Sequence, residues 1–149
     1  MNRHVMVTAL VGLAGLAIGV GGAADATTAA ARNAASRSNV CKPNPDPATP
    51  AQVIVNLPHP HAHVTSPVKV KGKINAFEAT FQIAIKDSSG NDIVSVTAHS
   101  HQGQTLSPFK KKVHFTVTAQ KPACLWVFQF SAQDGTPSMI KQVPITLVP

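Results

Sequence analysis

The chain of 149 residues contains no tyrosine and only one tryptophan, Trp126. Sugar-binding sandwiches usually stack sugar rings on exposed aromatic side chains, so a lectin of that type lacks its usual residues here. Acidic residues are also scarce, because six Asp and Glu accompany thirteen Lys and Arg, for a formal net charge of +7. A basic chain of this kind favours anionic partners.

Motifs of familiar catalytic sites are missing as well. The sequence has no Gly-x-Ser-x-Gly elbow and no phosphate-cradling glycine loop. Ser131 and Asp134, in "SAQDG", fit a tight turn, and Glu78 and Asp87 lack a partner pattern for general acid/base chemistry. We therefore expect a protein that is not an enzyme and has no catalytic residues.

The N-terminal region predicts export. Arg3 precedes an apolar stretch and then small residues, which is the layout of a secretory signal peptide over residues 1–26. An uncleaved N-terminal anchor is the alternative. After cleavage we expect no transmembrane segment and a secreted, envelope-associated protein. Residues 27–50 are rich in Ala, Ser and Pro and predict a flexible spacer, which leaves 51–149 as one domain.

The hydrophobic period in this domain is two, which predicts strands. In "VKVKGKI", Val68, Val70 and Ile74 share one face, and lysines occupy the other. In "FEATFQIAIK", alternation predicts that Phe77 belongs to the apolar face of a strand. "DSSGND" then supplies a turn. About seven short strands with turns between them predict an all-β fold, an immunoglobulin-like antiparallel β-sandwich.

Large aromatic residues alternate in a later strand, "CLWVFQFSA". Trp126, Phe128 and Phe130 fall on one face together with Cys124. Core packing is the usual role of a large aromatic side chain in this fold, so we expect Trp126 in the core.

Several short motifs, taken in order, resemble a known family. They are an SP pair before a Val-x-Val-x-Gly strand, an AFEA run, a PF pair opening a later strand, and the "SAQDG" corner. The set covers about 53–148 and is similar to the bacterial immunoglobulin-like domain found beside GerMN domains (the Gmad group). The resemblance implies a non-catalytic extracytoplasmic module, in relatives often attached to envelope proteins linked to sporulation and germination. This chain differs in having no GerMN domain, a cysteine pair and many histidines.

The two cysteines, Cys41 and Cys124, predict one disulfide, because export brings the chain into an oxidising compartment. The bond would join the end of the spacer to the domain. Two free thiols, or thiols that pair between molecules, are the alternative.

Five histidines form two groups that suit a metal ion. They are His59, His61 and His63 in "HPHAH", and His99 and His101 in "HSH". Imidazole nitrogens bind Zn²⁺ and Cu²⁺, and three or four ligands complete such a site. An extracytoplasmic zinc- or copper-binding protein is therefore the alternative function. The competing interpretation is that these are solvated loop residues and that the protein needs no cofactor.

Lysines predict a basic sheet surface. Lys69, Lys71 and Lys73 alternate along one strand, and Lys110 and Lys112 share a face of another. Such a surface suits an anionic cell-wall polymer, and the competing interpretation is a solvated face that blocks edge pairing. A third hypothesis is docking on an envelope protein through an exposed strand edge. Nucleic acid is not an expected partner.

Overall fold

The computed structural model describes residues 40–149. The predicted signal peptide and the first part of the predicted spacer lie outside the described residues. Eight strands and one short 3₁₀ turn follow one another. They are β1 (Val53–Leu57), β2 (His63–Val64), β3 (Val68–Ile74), the turn Phe77–Ala79, β4 (Thr80–Lys86), β5 (Asp92–His99), β6 (Ser107–Val113), β7 (Lys121–Phe130) and β8 (Pro137–Leu147). Within residues 40–149, no helix is long and apolar enough to cross a membrane.

The strands form two sheets that pack face to face. One sheet has three strands in the order β1-β3-β6, and the other has five in the order β2-β8-β7-β4-β5. Neighbouring strands are antiparallel except for the short parallel pair β2 and β8. The predicted all-β immunoglobulin-like sandwich is confirmed.

The main core lies between the sheets and follows the period-two pattern of the strands. Val70 and Ile74 of β3 point inward and are fully buried, while the intervening lysines are exposed. From the facing sheet, Phe81 of β4 packs its ring edge-on against Phe109 of β6, with centroids 4.7 Å apart. Full burial of one such side chain contributes about 1.5–3 kcal/mol, so these alternating positions stabilise the pairing of the sheets.

A second apolar cluster covers the outer face of the five-stranded sheet. Its buried members are Ala84, Cys124, Trp126, Phe128 and Ile140, with Cys41 packed against them. The prediction that Trp126 packs in an apolar core is confirmed, at 9% exposure, and the core that it joins is this second cluster rather than the one between the sheets. On β7 the inward positions are filled by alternate residues such as Leu125, and this alternation turns Trp126 outward.

The segment 40–50 covers this second cluster. Cys41 forms a disulfide with Cys124, with Cα atoms 5.1 Å apart. The Ala48 amide donates to the Ile140 carbonyl at 2.9 Å, and the Ile140 amide donates to the Asp46 carbonyl at 2.8 Å. The C-terminal part of the predicted spacer, residues 40–50, is therefore joined to β8 and β7 by these bonds, and the predicted flexible spacer over 27–50 stays a prediction.

The start of β4 also differs from the predicted strand. Glu78 and Ala79 have positive φ angles of 53° and 60°, so the chain makes a tight turn before Thr80. Phe77 is consequently 56% exposed and does not join the apolar face that alternation predicted for it.

Candidate functional site

Five lysines lie together on the outer face of the three-stranded sheet. This lysine face consists of Lys69, Lys71 and Lys73 of β3 and Lys110 and Lys112 of β6, all exposed. The register of the two strands sets Lys69 opposite Lys112, and Lys71 opposite Lys110. Opposite residues of an antiparallel pair have Cβ atoms about 4.5–5.5 Å apart, so the structure places like charges side by side.

No carboxylate of the described chain lies on β1, β3 or β6. Among residues 40–149 the structure contains one salt bridge, between Lys86 and Asp92, and that bridge joins β4 to β5 in the other sheet. Directly opposed like charges on neighbouring strands are destabilising. The lysine face therefore carries an uncompensated positive charge, and repulsion between its lysines lowers the free energy of unfolding.

A shallow depression interrupts the lysine face. It has a volume of about 280 Å³ and is lined by residues of all three strands: Asn56, Leu57, Lys71, Gly72, Lys73, Pro108 and Phe109. Gly72 allows β1 to approach β3 closely beside the depression, because a Cβ there would lie 2.0 Å from the Ile54 carbonyl oxygen. Any larger residue would push β1 away from β3.

Lys111 differs from its neighbours because its register position belongs to the inner face of β6. It pairs with the buried Val70 and is itself half-buried. An inward-pointing lysine on an edge strand discourages pairing with another chain. The three consecutive lysines of β6 therefore have two roles: Lys110 and Lys112 form the face, and Lys111 protects the edge.

The two histidine groups lie at opposite edges of the five-stranded sheet. His63 belongs to β2 and His99 to β5, and three strands separate these two in the sheet order. His99 Nδ1 lies 3.3 Å from the Thr80 hydroxyl oxygen. All five histidines are exposed. The structure does not bring the two predicted groups together.

Residues 40–149 contain no group of three or more His, Cys, Asp or Glu side chains arranged to hold a metal ion. Within the first group, His61 has a positive φ of 64° and its amide donates to the Pro144 carbonyl. This turn departs from the uniformly extended chain that would align all three rings. Zinc or copper binding by the histidines stays a prediction.

The candidate acidic residues of the loops act as hydrogen-bond acceptors in turns. Asp134 accepts from the Thr136 amide and hydroxyl at 3.1 and 2.8 Å, and these bonds lower the pKa of its carboxyl group. Asp87 accepts from the Asn91 and Ser89 amides, and the bond from Asn91 contributes most to lowering its pKa. Both carboxylates stabilise the turns in which they lie.

The depression is the part of this site that sequence patterns did not reveal. Alternation along β3 identified the lysines, but Asn56 and Pro108 come from different strands and meet Lys71 and Lys73 only through the register. A single signal was present in the sequence, because Gly72 interrupts an otherwise regular Val-Lys alternation, and glycine in a strand often marks a close approach of another backbone.

Comparisons with known proteins give a matching family model and a similar solved structure. A family model described as the immunoglobulin-like domain of bacterial spore germination (Gmad2) matches residues 52–136. Among solved structures, CopC from Methylosinus trichosporium OB3b is similar, with 19% sequence identity, a TM-score of 0.39, and coverage of 66% of this chain and 93% of that chain. No curated protein matches the chain significantly. Because the family model spans more than half of the sequence, the chain belongs to the Gmad2 family of immunoglobulin-like domains of bacterial spore germination.

Proposed function

We propose that this protein is a non-catalytic binding module that works outside the cytoplasm and docks on an anionic polymer of the cell envelope through the lysine face. The observation that carries this proposal is the pair of directly opposed lysines, Lys69 with Lys112 and Lys71 with Lys110, on a sheet face without a carboxylate. A polyanion would neutralise both pairs at once and remove their repulsion.

Two features support the extracytoplasmic location. The Cys41–Cys124 disulfide suits an oxidising compartment, where such bonds persist. The sequence of residues 1–26 has the layout of a signal peptide. Binding of this kind requires no metal and no organic cofactor.

Two observations on residues 40–149 support the non-catalytic part of the proposal. Asp87 and Asp134 accept hydrogen bonds from turn amides, and the lysine face offers ammonium groups, with the Asn56 amide in the depression beside them. Charge attraction and hydrogen bonding are what these groups provide.

Retention on isolated cell walls tests the proposal. We expect the protein to sediment with the walls at low ionic strength and to be released by salt, because exposed charge pairs are screened. The variant Lys71→Gln/Lys110→Gln should lose most of this retention. The matched control Lys42→Gln/Lys121→Gln removes the same charge away from the face and should be retained as the wild type is.

Equal loss of retention in the two variants would show that net charge alone drives binding and would overturn the proposed site. Retention that salt does not release would exclude the polyanion itself and favour a protein partner.

A further inference from the structure

We propose that the ligand of the lysine face is a linear cell-wall polymer in which phosphodiester groups are separated by neutral polyol units, and that this polymer lies along β3 and β6. The inference rests on the proposed function and specifies its ligand.

The first argument is the spacing of the charges. Residues two apart on one face of an antiparallel strand are separated by roughly 6.8 Å. Lys69, Lys71 and Lys73 therefore form a row with one positive charge per step of that length, and Lys112 and Lys110 form a second row beside it. Such rows match a chain whose negative charges are also spaced apart along its length. A chain that carries a negative charge on every consecutive small unit, such as inorganic polyphosphate, matches these rows less well.

The second argument is the depression between charges of the first row. Lys71 and Lys73 both line it, and the backbone of Gly72 lies between them. Its volume of about 280 Å³ is many times the roughly 10–15 Å³ that one water needs in the same measure. A small neutral unit of a polymer fits this space while the anionic groups on either side of that unit reach the two lysines.

The lining of the depression suits a polyol. Asn56 is exposed on β1, and its amide can both donate to and accept from a hydroxyl group. Leu57 and Pro108 provide apolar surface for carbon atoms. A contiguous inorganic polyphosphate has neither hydroxyl-bearing carbons nor a neutral unit to place there.

The third argument is the choice of lysine. Residues 40–149 contain no arginine. A lysine ammonium binds phosphate as a compact point charge, whereas an arginine would favour bidentate, planar recognition. Lysine ammonium groups at fixed intervals therefore bind best to a flexible chain whose phosphodiester charges can adopt the same intervals.

Calorimetric titration of the secreted chain with three probes of equal charge number tests the inference. The probes are glycerol phosphate oligomers, inorganic polyphosphate and oligogalacturonate, all at one ionic strength. We expect the glycerol phosphate oligomers to bind about five- to tenfold more tightly than either other probe, as one added hydrogen bond would give.

The variant Asn56→Phe, which fills the depression from an exposed position, should remove this preference and leave polyphosphate binding unchanged. Gln120→Phe, at an exposed loop position away from the face, is the matched control and should keep the preference.

The outcomes separate the two proposals. Equal affinity for all three probes in the wild type would overturn the polyol phosphodiester ligand and leave the polyanion function standing. Preference for oligogalacturonate would replace phosphodiester by carboxylate and overturn the inference. Failure of every probe to bind would overturn the proposed function itself.

Discussion

Trp126 shows at the scale of one residue how a buried side chain can keep a polar group without a partner. Its Nε1 is buried and makes no hydrogen bond within residues 40–149. The Lys86 ammonium lies 5.0 Å from the centroid of the ring, and Phe128 meets the ring edge-on at 6.1 Å. The Trp126 ring therefore makes favourable contacts with a cation and with a second ring, whereas its unsatisfied N–H lowers the free energy of unfolding by about 1–3 kcal/mol.

Replacing Trp126 by Phe removes the buried N–H and keeps an aromatic ring. We expect Trp126→Phe to change the free energy of unfolding by less than about 1.5 kcal/mol, because the relieved polar cost offsets part of the lost packing. Trp126→Ala should cost about 3–5 kcal/mol. Urea denaturation followed by circular dichroism measures both, and an equal loss in the two variants would contradict the account.

The exposure of the alternating lysines was the feature that the sequence predicted best. Strict alternation of Lys69, Lys71 and Lys73 with apolar residues fixes which side of the strand faces solvent. Alternation also placed Trp126 on one face of its strand correctly. Alternation cannot say which of the two faces of a sheet meets the other sheet, so it did not show that the cluster around Trp126 lies on the outer face of the five-stranded sheet.

At the scale of elements, the proposed binding implies that the pairing of β3 with β6 gives up some stability in order to present a charged surface. A sheet face selected for stability alone would set carboxylates opposite the lysines. Here the register opposes lysine to lysine twice. Sites that keep unfavourable local interactions of this kind are expected where function needs them.

This exchange of stability for binding predicts effects of opposite sign for a single substitution. Lys71→Glu places a carboxylate opposite Lys110, so we expect the free energy of unfolding to rise by about 0.2–1 kcal/mol at low salt. The same change should weaken binding to cell walls. Thermal unfolding at several salt concentrations, beside the retention assay, measures both effects, and the gain in stability should shrink as salt increases.

Lys42→Glu is the matched control for this substitution, because Lys42 lies outside the strands and has no lysine paired opposite to it. A loss of stability in Lys71→Glu, with or without a loss of binding, would contradict the prediction that stability and binding change in opposite directions.

Two elements could not be predicted from local pattern. The run of Phe77 and Ala79 alternates like a strand, but the left-handed backbone of Glu78 and Ala79 depends on loops from other parts of the chain: Gly103 lies against their backbone. The segment 40–50 has several prolines and no period, so its order comes from β8 and the disulfide, which are distant in sequence.

At the scale of the whole molecule, the disulfide joins residues 83 apart in sequence. The chain-entropy model assigns about 4.5 kcal/mol to closing a loop of that size, as an upper figure. That is a large fraction of the 5–15 kcal/mol typical of a domain. We therefore expect the Cys41–Cys124 bond to be a main contribution to the stability of this small sandwich.

The double variant Cys41→Ala/Cys124→Ala should lose several kcal/mol of unfolding free energy, up to about the 4.5 kcal/mol of the model. Its Trp126 emission should shift to the red, because the segment 40–50 that covers the second cluster is no longer held covalently. A thiol reductant should produce the same changes in the wild type and none in the variant. Unchanged stability in both would contradict the assignment.

The position of Cys41 also determines which face of the sandwich lies beside the start of the described chain. Cys41 is fixed against the outer face of the five-stranded sheet, whereas the lysine face is the outer face of the three-stranded sheet. The chain therefore enters the sandwich on one side and presents its charges on the other. Anything that joins the domain at Cys41 therefore leaves the lysine face uncovered, so attachment at that end and binding at the lysines do not compete for the same surface.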